Sequence, residues 1–281
     1  TFRNFDALFH TEPVSAGPEP WVLERAPVDL SSLRYDFAGA SHDLAHFLEH
    51  NRTNALLVLK DGKIIQEIYR NGADERSRFI SFSVGKSFTS SLVGLAVDRG
   101  LLPSLDVPVT TYVPKLKDSG YDGATVRDLM QMSSGVKMNE NYDIHSSEPN
   151  LFAEGIYQAW FSEAVRFSDF AATLGQAAAP GTVFNYNTFD TQVLGSVLEG
   201  ATGKRFTEFL GEALWRPLGM ESDLLMTMDS AGADREAMAG GGYLSNADPS
   251  TLTYDAYEAA DFEAGGIENG DGISREDALL R

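Results

Sequence analysis

Cysteine is absent from this chain, so disulfides, thiolate nucleophiles and cysteine-held metals are all excluded. The same absence leaves cytoplasm and periplasm equally open. No window approaches 18 uninterrupted apolar residues, so nothing reads as a membrane span. Basic residues are scarce: 22 Lys and Arg stand against 41 Asp and Glu, a net charge of −19. Such a balance repels phosphate backbones and anionic lipid, which argues against nucleic acid and membrane surfaces as partners. The acidity is spread along the chain, denser after Asp248, and reads as a solvated surface rather than a recognition patch. There are no internal repeats. The chain opens at Thr1 without a charged-then-apolar leader, as it would after removal of a signal peptide or tag.

What is present suffices for a full-sized core. With 281 residues, 43% of them hydrophobic, the chain can build one large or two intimately packed domains. Residues 1–35, rich in Pro, aromatics and polar groups, read as an N-terminal arm over a neighbouring surface. Asp43 to His50 reads as a helix. Asn54 to Tyr69 reads as a hairpin, two apolar runs around Lys60-Asp61-Gly62-Lys63, with Asp-Gly a strong turn signal. Residues 36–105 therefore form the first part of an α/β domain. From 106 to 240 the apolar periodicity is helical, broken by Pro and Gly, and 241–281 reads as a return segment toward the α/β domain. Two strands, a helix and then a helical stretch suggest an α/β layer carrying a helical insertion.

Chemistry is signalled at Phe82-Ser83-Val84-Gly85-Lys86-Ser87-Phe88. Residues three apart on a helix share a face, so Ser83 and Lys86 sit side by side if Ser83 opens the helix. A lysine whose pKa is lowered by burial can deprotonate the serine, which is the chemistry of a serine hydrolase or acyltransferase. The motif alone is weak, since chance supplies about one match in a chain this long. Ser134-Gly135-Val136-Lys137 is such a match, but it follows the helical run Val126 to Met132, and Gly135 lies where that helix would end. Around Ser83 the helical wheel from Val84 to Asp98 instead places Val84, Phe88, Leu92, Val93, Leu95 and Ala96 on one side. Ser83, Lys86, Ser87, Ser90 and Gly94 fall on the other, and Gly100 stops the helix. The plainer reading of this segment is a buried helix with a small-residue packing face and a surface lysine.

Acyl transfer also needs a proton donor for the leaving group and donors for the oxyanion. Phe184-Asn185-Tyr186-Asn187-Thr188 follows Pro180-Gly181 and precedes the helix-like Thr191 to Glu199, so Tyr186 occupies a loop at a helix start. A tyrosine there is either a second acid/base or simply a packed aromatic.

The order of these segments resembles the penicillin-recognising serine hydrolases, the superfamily of class C β-lactamases, DD-peptidases and related esterases. Within it the chain is most similar to the aminohexanoate-dimer (nylon-oligomer) hydrolase group. The resemblance rests on Asn54 to Tyr69, Ser81 to Gly100, Tyr121 to Gly135, Asn139-Glu140-Asn141-Tyr142, Pro180 to Gly203, and Leu214 to Glu221. It implies a β-lactamase/transpeptidase-like α/β (α+β) fold, an antiparallel sheet with flanking helices plus a mainly helical domain. It also implies Ser83 as acylated nucleophile, Lys86 as its base and Tyr186 as proton relay. Tyr142 would help hold an amide substrate, and the Ser83 N–H would form half of an oxyanion hole.

Two departures qualify this. The family shows asparagine two places after the tyrosine, whereas Tyr186-Asn187-Thr188 has it one place early. Asn187 stands with Tyr142 as a candidate substrate-binding residue, but its position argues against strong β-lactamase activity. The family's Lys-Thr-Gly or His-x-Gly strand, expected after residue 250, is not found; Gly240-Gly241-Gly242 and Gly265-Gly266 read as loop glycines. The expectation is that the family's C-terminal strands are missing from these 281 residues, since a two-stranded hairpin alone is marginal.

His42, His46 and His50 recur on one expected helical face and read as an exposed face rather than a metal site. Asn51-Arg52-Thr53 fits a glycosylation sequon, a frequent triplet, and Glu268 to Gly272 lacks the alternating register of a calcium loop. No metal or organic cofactor is implied. The expected function is hydrolysis of a small-molecule amide or ester through an acyl-enzyme on Ser83; a non-catalytic binding or regulatory protein on the same scaffold is the competing class.

Overall fold

The computed structural model describes residues 5–141, 149–161, 165–229, 236–240 and 243–246. Its strands are β1 (Thr11–Val14), β2 (Glu24–Arg25), β3 (Arg34–Phe37), β4 (Ala40–Asp43), β5 (Ala55–Lys60), β6 (Lys63–Tyr69), β7 (Arg78–Ile80), β8 (Leu224–Thr227) and β9 (Tyr243–Asn246). Its helices are α1 (Leu44–His50), α2 (Gly85–Asp98), α3 (Val126–Met130), α4 (Leu151–Phe161), α5 (Phe167–Thr173), α6 (Thr188–Thr202) and α7 (Phe206–Leu210). The described residues divide into two compact units, one of 5–21 with those of 78–246, the other of Val22–Ser77.

The larger unit holds a four-stranded antiparallel sheet in the order β1-β8-β9-β7. Val14 of β1, within the expected N-terminal arm, faces Leu224 of β8 across the ladder. β8 lies inside a stretch whose periodicity reads as helical; its run Leu-Leu-Met-Thr carries no alternation because Leu224, Met226 and Thr227 are all buried. The centre of the unit is α6, buried continuously from Thr188 to Gly195 and again at Val197 and Leu198, with α2, α3, α5 and α7 packed around it. Its buried positions run round the helix and include Asp190, Thr191 and Gln192, polar side chains that a core holds when they are hydrogen-bonded within it. α6 ends at Gly203, whose φ of +65° is a left-handed cap. α3 begins with a capping box in which Thr125 and Asp128 satisfy each other's backbone N–H.

α2 follows a short 3₁₀ turn at Phe82–Val84 and stops before Gly100, at φ +69°. Its buried residues are Gly85, Thr89, Leu92, Val93 and Ala96. That face is rotated from the expected one, taking in Gly85 and Thr89 and leaving Phe88 half-exposed.

In the smaller unit the expected hairpin is β5 and β6, antiparallel, with β2 added parallel to β6. Asp61 and Gly62 both have positive φ, +52° and +73°, the geometry of a type I′ turn that matches strand twist. β3 and β4 form a second hairpin that leads into α1, capped by the Asp43 side chain on the His46 N–H at 2.8 Å. His42 therefore lies in a strand and not on the helix. Its ring stacks on His46 at 3.8 Å, and His46 Nδ1 is 2.9 Å from the Tyr35 hydroxyl. Among the described residues no group of three or more His, Asp or Glu is placed to hold a metal ion, and no helix is long and apolar enough to cross a membrane.

Candidate active site

Ser83 sits in the 3₁₀ turn at the entry to α2, just after Phe82, whose φ of +41° is left-handed. A bulky residue held in that region costs on the order of 1–3 kcal/mol and is kept where surrounding structure imposes it. Here the neighbouring Ser81 is buried, while Ser83 is exposed. One turn on, Lys86 Nζ donates to Ser83 Oγ at 2.9 Å and to the Gly240 carbonyl at 2.8 Å. Burial pushes the Lys86 pKa down to about 8, against the opposing pull of the Glu140 carboxylate. At that value about one molecule in ten carries a neutral amine at pH 7.

Tyr186 reaches the same oxygen from a remote stretch of sequence. Its loop is stitched to residues 132–138: Gly181 N–H donates to Ser133 O and Asn185 N–H to Met132 O, each at 2.8 Å, and the Asn185 amide to Met138 O at 3.1 Å. The Tyr186 hydroxyl donates to Ser83 Oγ at 2.7 Å. Burial raises its pKa, so the phenol is protonated at neutral pH and is a donor. Lys86 Nζ lies 5.1 Å from the centre of the Tyr186 ring, within cation–π range. Ser83, Lys86 and Tyr186 are thus brought together on one hydroxyl oxygen.

Of the other two expected site residues, Asn187 alone is described. Tyr142 lies outside the described residues. Asn187 is buried, 1% exposed: its side-chain oxygen caps α6 by accepting from Phe189 N–H at 2.9 Å, and its amide donates to Asp190 Oδ1 at 2.7 Å. Both ends of that side chain are engaged inside the protein. Asp190 is itself fully buried, which raises its pKa to about 7 although the nearby polar groups of Ser134 and Tyr121 pull the other way. The second Ser-x-x-Lys match is a turn, as expected: Gly135 has φ +77°, Ser134 is buried and Lys137 exposed.

Two groups at the site escape sequence reasoning. Glu140 accepts from both the N–H and the hydroxyl of Thr188, each at 2.6 Å, and its charge acts on Lys86, Tyr186 and Asp190. Its signal was its place in Asn139-Glu140-Asn141-Tyr142. Gly240 reads as a loop glycine but supplies the carbonyl on Lys86; a Cβ there would stand 2.6 Å from Thr188 Cγ2, so only glycine fits.

Residues 41–273 match the profile of the Beta-lactamase family. The chain is 33% identical over 192 residues to a 6-aminohexanoate-dimer hydrolase of Paenarthrobacter ureafaciens, 68% of this chain and 48% of that protein. It is 30% identical over 153 residues to penicillin-binding protein 4 of Amycolatopsis lactamdurans, 53% of this chain and 36% of that one. It thus spans half or less of the length of these curated relatives. A solved structure from Bacillus anthracis, assigned as a 6-aminohexanoate-dimer hydrolase, superposes with a TM-score of 0.77 at 21% identity, covering 96% of this chain and 74% of its own. The fold is accordingly β-lactamase/transpeptidase-like, with mixed helices and sheets. With the profile match running through the Ser83 turn, the α6 loop and the intervening helices, the chain belongs to the Beta-lactamase family.

Proposed function

We propose that the chain carries a serine hydrolase centre that forms an acyl-enzyme on Ser83 and hydrolyses small amides or esters. The observation that carries this reading is the convergence of Lys86 Nζ and the Tyr186 hydroxyl on Ser83 Oγ, at 2.9 and 2.7 Å. A neutral Lys86 amine takes the Ser83 proton as Oγ attacks the carbonyl carbon. Tyr186 donates its proton to the leaving amine or alkoxide and recovers one from Lys86; water then hydrolyses the ester on Ser83 by the reverse path. The Ser83 N–H, in the first turn leading into α2, faces the developing oxyanion. Its expected partner, the strand after residue 250, lies outside the described residues, as does Tyr142, which we assign to holding an amide substrate. Asn187, with its side chain engaged at the start of α6, takes a positioning role rather than a substrate-binding one.

Similarity to a 6-aminohexanoate-dimer hydrolase supports a small amide as substrate class, with short esters as the easier surrogate. The test is turnover of p-nitrophenyl acetate and butyrate by the chain and by Ser83→Ala. A loss of roughly a thousandfold or more is expected in the variant. Equal turnover by both would remove the acyl-enzyme reading and leave a non-catalytic binding protein on this scaffold.

A further inference from the structure

Lys86 needs more than a lowered pKa. A neutral amine has one lone pair and two N–H groups, and it acts as a base only when that lone pair faces the serine hydroxyl. The Gly240 carbonyl, accepting one N–H of Nζ at 2.8 Å, restricts the amine's rotation so that one of the two remaining positions, the lone pair or the second N–H, is directed at Ser83 Oγ, 2.9 Å away. What holds that carbonyl in place is a side chain on another helix.

Gln192 lies on α6 and is buried, 4% exposed. Its Nε2 donates to the Ala237 carbonyl at 2.7 Å, and its Oε1 accepts from the Gly240 N–H at 3.4 Å. One carboxamide therefore spans both ends of the 237–240 turn. From the opposite side, Thr89, one helical turn after Lys86 on α2, donates its hydroxyl to the Ala239 carbonyl at 2.7 Å. Successive carbonyls of the turn, Ala239 and Gly240, are thus met by Thr89 and Lys86 from the same face of α2. The space is closed as well: a Cβ on Gly195 would collide with the Ala239 side chain, and one on Gly240 with Thr188. The turn is thus held by side chains of α2 on one hand and of α6 on the other.

We propose that Gln192, assisted by Thr89, is a positioning residue for Lys86, latching the 237–240 turn so that the Gly240 carbonyl orients the amine. The proposal rests on the acyl-enzyme reading above for its catalytic meaning, but the latch is testable without turnover. The measurement is the titration of the Lys86 side chain, followed by its ¹³Cε NMR signal in lysine-labelled protein and identified by its loss in Lys86→Arg. Gln192→Met, close in shape, removes both hydrogen bonds; Thr89→Val removes the third and serves if the first variant folds poorly. A carbonyl accepting from an ammonium stabilises the charged form, so freeing it lowers the Lys86 midpoint by at least about 0.5 pH unit in Gln192→Met, and less in Thr89→Val. In ester turnover the same Gln192 variant loses roughly tenfold in kcat with KM within about twofold, since no contact to the substrate is removed. A midpoint unchanged in both folded variants overturns the latch, whether or not Ser83 proves to be acylated. Absence of acylation in the wild-type chain alongside a shifted Lys86 midpoint leaves the latch standing and removes only the acyl-enzyme reading.

Discussion

Replacing Asp190 by Asn tests the electrostatics beneath the site through stability alone. Asp190 is fully buried at the start of α6, and its Oδ1 accepts from the Asn187 amide at 2.7 Å. Burial lifts its pKa from 3.8 to about 7. The folded chain therefore holds a proton up to about pH 7 that the unfolded chain releases near 3.8. Across that window the unfolded state binds fewer protons, so stability falls as pH rises, and the loss is complete above the folded pKa. Linkage puts the loss at about 2–3 kcal/mol between pH 5 and pH 8. For a chain of this size that corresponds to roughly 5–10 °C in Tm. Asn keeps the shape and an acceptor for Asn187 but cannot titrate. Its absolute stability can differ by about 1 kcal/mol through changed hydrogen bonds, so the quantity to read is the difference in pH slope. Thermal unfolding of both proteins followed by circular dichroism across this range gives it directly. The variant should gain on the wild type as pH rises; parallel Tm curves would refute a buried, neutral Asp190.

Lys86 sets a second pH dependence with the opposite sense. Because only its neutral form accepts the Ser83 proton, ester kcat/KM should rise about tenfold per pH unit below about 8 and level above it; a flat profile from pH 6 to 9 contradicts the assignment. Tyr186→Phe should cost amide hydrolysis roughly 10²–10⁴-fold but p-nitrophenyl esters far less, because nitrophenolate leaves without a proton; equal losses on both substrates would show that the phenol does not act on the leaving group. Two glycines on opposite sides of the packing argument should diverge in unfolding experiments. Gly240→Ala meets Thr188 and should destabilise by about 1–3 kcal/mol. Gly94→Ala, on the exposed face of α2 with open space around it, should stabilise by about 0.4–1 kcal/mol.

What the sequence discloses is what local chemistry determines. The β5–β6 hairpin is legible because Asp61-Gly62 demands positive φ at both turn positions and the flanking runs are β-formers. α2 is legible in extent, from the Ser83 turn to the stop at Gly100, but its buried face is not. Thr89 goes inside because a backbone carbonyl, that of Ala239, meets its hydroxyl, and side-chain hydrophobicity carries no record of such a partner. β8 was illegible for a related reason: with Leu224, Met226 and Thr227 buried and Leu225 partly so, its four residues show no alternation to read. Tyr186 could be nominated from its loop and from the resemblance, yet its 103-residue separation from Ser83 is closed only by tertiary packing. Asn187 shows how a polar residue beside a reactive one can serve a helix cap. Gly240 contributes through its carbonyl, which every residue possesses, so its type signals only the steric need for no side chain.

The most direct test of the central claim is covalent capture. Incubating the chain with a fluorophosphonate near pH 8, then measuring intact mass and mapping the modified peptide, should give a single adduct on Ser83 that is lost in Ser83→Ala and slowed in Lys86→Met. A chain that stays unmodified, or an adduct on another hydroxyl such as that of Ser134, would contradict the acyl-enzyme account.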